Sequence, residues 1–188
     1  MTSDDVDRTR IWDGAWVRAR IAAMAQEDPE RQRFGSSHHE YRLRPPLEED
    51  AIRSFERQYG VRLPESYRSF LTDVADGGAG PDYGLLGLTE EVDSEEALSD
   101  LREEGRQFGF LSTPFTHSGA WPGPGRAGNA GYSVTGTLVI GECGCGVFSR
   151  LVITGTNIGQ VWLDDPDWGG LTPGPDFRDW YSTWLATS

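Results

Sequence analysis

Residues 48–88 read EEDAIRSFERQYGVRLPESYRSFLTDVADGGAGPDYGLLGL, and the fold of the whole chain turns on them. Ile52, Phe55 and Tyr59 recur at three- and four-residue spacing with Ala51 beside them, which predicts an amphipathic helix over 47–59. Glu48, Glu49 and Asp50 crowd its first turn, where the positive end of the helix dipole favours acids. Gly60 ends it, and Leu63-Pro64 starts a second helix, because proline's missing N–H has no partner in a first turn anyway. Tyr67, Phe70, Leu71 and Val74 form the stripe of that helix. Gly77-Gly78 predicts its stop, since glycine takes the left-handed conformation without a Cβ clash. Turn residues over 80–84 and a short strand over 85–88 follow. The glycine turn is not a phosphate loop: no Gly-Lys-Ser/Thr follows, and the order is helix then strand.

Upstream, Trp12, Ala15, Trp16, Ala19, Ala22 and Ala23 predict a helix over 10–26. Residues 34–46 read as a connection with a short extended piece, which Pro45 and Pro46 keep from helix. Downstream, 90–106 reads as an acidic helix, 108–115 as a strand, and 117–132 as a long Gly- and Pro-rich surface loop. Strands are expected over 137–140, 147–154 and 160–163, with a hairpin turn at 155–159. Tight turns with no helix between strands mean an antiparallel sheet. Residues 164–167 leave the sheet, 169–174 form a loop, and Asp176 caps a last helix carrying Phe177, Trp180, Tyr181, Trp184 and Leu185. A docked helix of this kind makes Trp180→Ala strongly destabilising. The fold class is therefore α+β, a twisted antiparallel sheet packed by N-terminal helices and a C-terminal helix.

The chain has 188 residues, 37% of them hydrophobic and 11% aromatic, enough for one domain with a sizeable core. No apolar run approaches the roughly 18 residues of a membrane helix. The opening MTSDDVDRTR has acids and no apolar centre, which argues against a signal peptide and for a cytoplasmic location. The net charge of −13 repels nucleic acid and anionic membranes and attracts basic partners, and it also favours solubility. Cys143 and Cys145 are too close for a relaxed disulfide and make a poor metal site. His38, His39 and His117 match no ligand spacing, so neither metal nor cofactor is expected.

Ile52, Phe55, Glu56, Gly60, Leu63-Pro64, Tyr67, Phe70-Leu71 and Gly77-Gly78 together resemble the start of the SUKH superfamily, which includes the Smi/Knr-like cell-wall-assembly regulators. The run LVITGTNIGQVWLDD is similar to its hairpin, with Gly155, Gly159, Val161 and Trp162, and FRDWYSTWL to its terminal helix. The segment FGSSHHEYRLRPPLEE is similar to a common bacterial variant, so the resemblance runs from about 34 to 185. It implies a single domain over 1–188, with a helical extension over 1–33 and the family core over 34–188. It also implies a non-enzymatic binding protein. Many bacterial members are immunity proteins that neutralise a cognate toxin, often a nuclease or deaminase, by stoichiometric binding. Other members resemble regulatory or scaffolding modules that bind an endogenous protein.

Candidate partner-binding residues are exposed acids and aromatics near loops. Asp164, Asp165 and Asp167, with Trp162 and Trp168, could mimic phosphates before a basic toxin domain, or could form a capped, solvated turn. Asp82 and Tyr83 in the glycine turn are a second surface, or plain turn chemistry. Glu90, Glu91, Asp93, Glu95 and Glu96 are a third, or a solvated face. No nucleophile–histidine–acid set is visible, so no catalytic residue is assigned.

Overall fold

Residues 11–89, 101, 103–123 and 131–187 are described by a computed structural model. Helix α1 (Gly14–Glu27) starts at Asp13, whose carboxylate accepts the Trp16 N–H at 2.9 Å. Its buried face is Gly14, Val17, Ile21 and Met24, with Trp12 buried just ahead. The stripe read from the alanines is thus turned away from the core. Val, Ile and Met remove more apolar area from water than alanine methyls do, so the helix rotates to bury them and leaves Ala15 and Trp16 exposed. A Cβ on Gly14 would collide with the Asp73 carbonyl oxygen, so a glycine is needed where α1 meets the neighbouring helix.

Helix α2 (Ser36–His39) is a single turn where an extended piece was expected. Left-handed residues Gly35 and Glu40 bracket it, and they coil the segment ahead of the proline pair. Helices α3 (Glu49–Tyr59) and α4 (Glu65–Asp73) match the expected helix–break–helix, with Gly60 left-handed at the first end and Pro64 directly before the second start. Gly77 and Gly78 do not stop α4, which ends at Asp73. They let backbones pass closely: Gly78 bridges both Leu43 and Leu85, and a Cβ there would strike the Arg42 carbonyl. Likewise 85–88 is not a strand: Leu85 alone bridges, to Gly78 on one side and Gly141 on the other.

The sheet is β1 (Thr137–Gly144), β2 (Val147–Val152), β3 (Gln160–Asp165) and β4 (Gly170–Asp176), antiparallel throughout and in the order β1-β2-β3-β4. Cys145 and Gly146 join the first two strands, both at positive φ, as a two-residue hairpin turn matching strand twist requires. Strand β4 replaces the expected loop over 169–174, and Asp164 and Asp165 stay in β3. Pro173 and Pro175 are tolerated because β4 is an outer strand. Residues 108–112 are turns rather than a strand, and Phe115 forms a single bridge to Gly155.

Helix α5 (Phe177–Leu185) begins at Asp176, which accepts the Arg178 N–H at 2.8 Å. Phe177, Tyr181 and Leu185 are buried, while Trp180 and Trp184 are half-buried. One sheet face, with Leu138, Ile140, Leu151, Ile153 and Val161, joins the helices in the main core. The other face packs Val152, Trp162 and Leu171 against Phe115 and Val134. The result is one α+β domain with α1, α3, α4 and α5 on one side of an open antiparallel sheet. Most of the acidic helix expected over 90–106 lies outside the described residues, as do 124–130 of the long loop; Leu101 and 103–105 are helical.

Candidate partner-binding surface at one end of the sheet

The acid-rich end of β3 divides into buried and exposed parts. Asp164 is 1% exposed and paired with the equally buried Arg150 of β2, Nε to Oδ2. Tyr132 donates its hydroxyl to both carboxylate oxygens, at 2.8 and 3.0 Å. Burial, then the Asp164 charge, pushes the Tyr132 phenol well above its ordinary pKa, so it stays a donor. Trp162 is buried among Phe115, Val134, Val152 and Leu171. Trp162 and Asp164 are therefore corrected from partner surface to interior. Side chains alternate along a strand, and positions 162 and 164 both face the covered side.

Asp165, Asp167 and Trp168 remain accessible in or beside the β3–β4 turn. Asp165 accepts the Trp168 N–H at 3.1 Å, Asp167 is exposed, and Trp168 is 88% exposed. The register puts this turn at the same end of the sheet as the Cys145-Gly146 turn, since Asp164 pairs with Phe148 and Gly144 with Val147. Tyr83 belongs to that end too. Its N–H reaches the Glu142 carbonyl at 3.2 Å, and its ring lies against Gly144. The first two surfaces read from sequence thus share one edge of the molecule, with the strands between them spanning roughly 15 Å. Glu90, Glu91, Asp93, Glu95 and Glu96 of the third lie outside the described residues.

Two residues of this edge were not read from the sequence as partner surface. The Phe34 ring stacks on Tyr83 with centroids 5.2 Å apart, and His38 stacks on Tyr83 at 4.2 Å. Phe34 itself is 65% exposed. Local spacing carries no sign of this contact, because it depends on Gly35. A Cβ there would collide with the Asp82 carbonyl, so glycine lets α2 lie against the 81–84 turn. Asp82 also holds positive φ, a conformation that Asp tolerates better than most residues.

Behind Phe34 and Asp82 a groove of about 550 Å³ opens between α1, α2 and α5. His39, Tyr41, Trp180 and Trp184 line it together with Met24 and Arg33, whose Nη1 is buried without a hydrogen-bond partner among the described residues. His39 is held neutral: its pKa falls to about 4 through burial and repulsion from His38, against the pull of Asp28. Its Nδ1 accepts the Tyr41 N–H at 3.0 Å, so the ring proton sits on Nε2. Asp28 is opposed by burial but gains more from its donors, the Tyr41 hydroxyl first, and its pKa drops to about 2. Cys143 lies beside Ser149 and Asp82, and burial first raises its thiol to about 12, so it stays protonated. Both cysteines are free. Among the described residues no three His, Cys, Asp or Glu side chains are grouped to hold a metal ion, and no helix is long and apolar enough to cross a membrane.

Residues 46–183 match the SMI1/KNR4 family (SUKH-1). The chain belongs to that family. The match covers the helix–break–helix, the whole sheet and most of α5, and it leaves α1, α2 and the Phe34 segment outside. The SUKH family includes immunity proteins of polymorphic toxin systems, and its domains are generally non-catalytic. No curated protein and no solved structure matches the chain.

Proposed function

We propose that this SUKH domain is an immunity protein that binds a basic toxin domain stoichiometrically, through the end of the sheet carrying Trp168, Asp167, Asp165, Tyr83, Asp82 and Phe34. The observation that carries the proposal is the pairing of two exposed aromatics with carboxylates on one edge of a strongly acidic family member. Trp and Phe in such a setting supply large contact area at low conformational cost, the usual basis of a binding hot spot. The surrounding negative field speeds encounter with a basic partner and rejects acidic ones. Nucleases and deaminases carry basic nucleic-acid clefts, and covering such a cleft requires no chemistry from the inhibitor.

Co-expression with a toxin domain encoded beside this chain tests the reading. Growth is restored, and the two proteins elute as a salt-sensitive 1:1 complex. Failure to protect against any neighbouring toxin, with no complex at low salt, contradicts it.

A further inference from the structure

Phe34 is 65% exposed, yet its position is fixed from two directions. Just ahead of it, both backbone groups of Arg33 are used. The N–H donates to Asp28 Oδ2 at 3.2 Å, and the carbonyl accepts the Ser36 N–H at 3.1 Å and the Ser36 hydroxyl at 2.7 Å. The Phe34 ring then stacks on Tyr83 with 30° between the planes, and the His38 ring stacks on Tyr83 with 22°. Tyr83 is in turn fixed to the sheet. Its N–H reaches the Glu142 carbonyl of β1, and a Cβ on Gly144 would come within 2.9 Å of its hydroxyl oxygen, so the ring sits directly over that glycine. A second glycine, Gly35 at φ +75°, lets the Phe34 segment approach the Asp82 carbonyl. One exposed apolar side chain is ordinary by itself. Phe34 differs in being ordered by folding and still left facing water.

We infer that Phe34 is a preformed anchor of the partner-binding edge, seated in an apolar socket on the basic surface of the toxin domain, with Tyr83 as the positioning residue that holds its ring in the bound orientation. This deepens the immunity reading and rests on it. A side chain ordered before encounter has little rotamer freedom left to lose on binding, which is worth about a 2- to 12-fold gain in affinity. Tyr83 also makes the anchor continuous with the sheet end that carries Asp165, Asp167 and Trp168. Phe34 lies outside residues 46–183, so this anchor is added to the matched family domain from beyond it.

Two readouts test this. In the free protein, the Tyr83 ring current displaces the Phe34 ring protons upfield. Tyr83→Leu returns them to random-coil positions, and Tyr83→Phe, which keeps the ring, leaves them displaced. Random-coil positions in the wild type overturn the inference without any toxin being needed. The second readout is calorimetry against the toxin domain encoded beside this chain. Phe34→Ala weakens binding roughly 30-fold. Tyr83→Leu weakens it about fivefold when Phe34 is present and less than about twofold in the Phe34→Ala background, while Tyr83→Phe stays within about twofold of wild type. A merely structural Tyr83 would lose the same affinity in both backgrounds, and that result, or no rescue by Tyr83→Phe, overturns the positioning role. Wild type that binds the toxin while Phe34→Ala keeps full affinity sinks the anchor alone. Wild type that binds no neighbouring toxin sinks the immunity reading, and the anchor's socket with it.

Discussion

Arg150 and Asp164 carry opposite charges inside the covered face of the sheet, each at 1% exposure. A pair so placed is costly to break, because the surviving partner is left charged and dry. Asp164→Asn is expected to lower unfolding free energy by about 3–5 kcal/mol in urea titrations. A loss under about 1 kcal/mol would return Asp164 to the surface role first read from sequence. His39 gives a second residue-scale prediction. Its folded pKa is about 4 against an ordinary 6.5, so between these values the unfolded chain binds more protons and stability falls as pH drops. Asp28 continues the loss, its pKa being about 2 against an ordinary 3.8: the stability it adds is complete above 3.8 and drains as pH falls toward 2. Melting temperatures between pH 7 and 4 check the first window. His39→Gln flattens the slope there; an unchanged slope would assign the acid sensitivity elsewhere.

At the scale of elements, α5 is the piece that closes the core. Phe177 and Tyr181 are fully buried against Trp12, Tyr67 and Phe70, and the Tyr181 hydroxyl donates to the Ala79 carbonyl at 2.6 Å. Phe177→Ala is expected to cost about 3–5 kcal/mol. Trp180→Ala costs less, because Trp180 is half-buried beside the groove rather than in the core, contrary to the reading of the stripe alone. Calorimetry of the two variants orders them. How much of the fold was legible follows from which residues carried it. Helices α3, α4 and α5 announce themselves through large apolar side chains at helical spacing, closed by Gly60, Pro64 and Asp176. The register of α1 was hidden by alanines, which fit a stripe without contributing much burial. Strand β4 was hidden by Gly and Pro, which signal a loop unless one knows the strand lies at an edge. Gly77-Gly78 read as a stop because close backbone passage leaves no mark in local periodicity.

At the scale of the whole molecule, the candidate surface was half legible. Asp82, Tyr83, Asp165, Asp167 and Trp168 were named from turn chemistry and charge, but nothing local says that two turns about eighty residues apart share one sheet end. That follows from the antiparallel register. Phe34 and the groove were not legible at all, since they arise from α2 folding against the 81–84 turn. The most direct measurement of the account is titration calorimetry of the cognate toxin domain against three forms of this protein: wild type, Trp168→Ala and Ile158→Ala. Ile158 is also exposed, but it sits in the β2–β3 turn at the opposite end of the sheet. The account predicts that Trp168→Ala weakens binding by roughly 30-fold, a hot spot of about 2 kcal/mol, while Ile158→Ala leaves it within twofold. Full affinity in Trp168→Ala, with the loss falling on Ile158→Ala, would place the partner at the other end and contradict it.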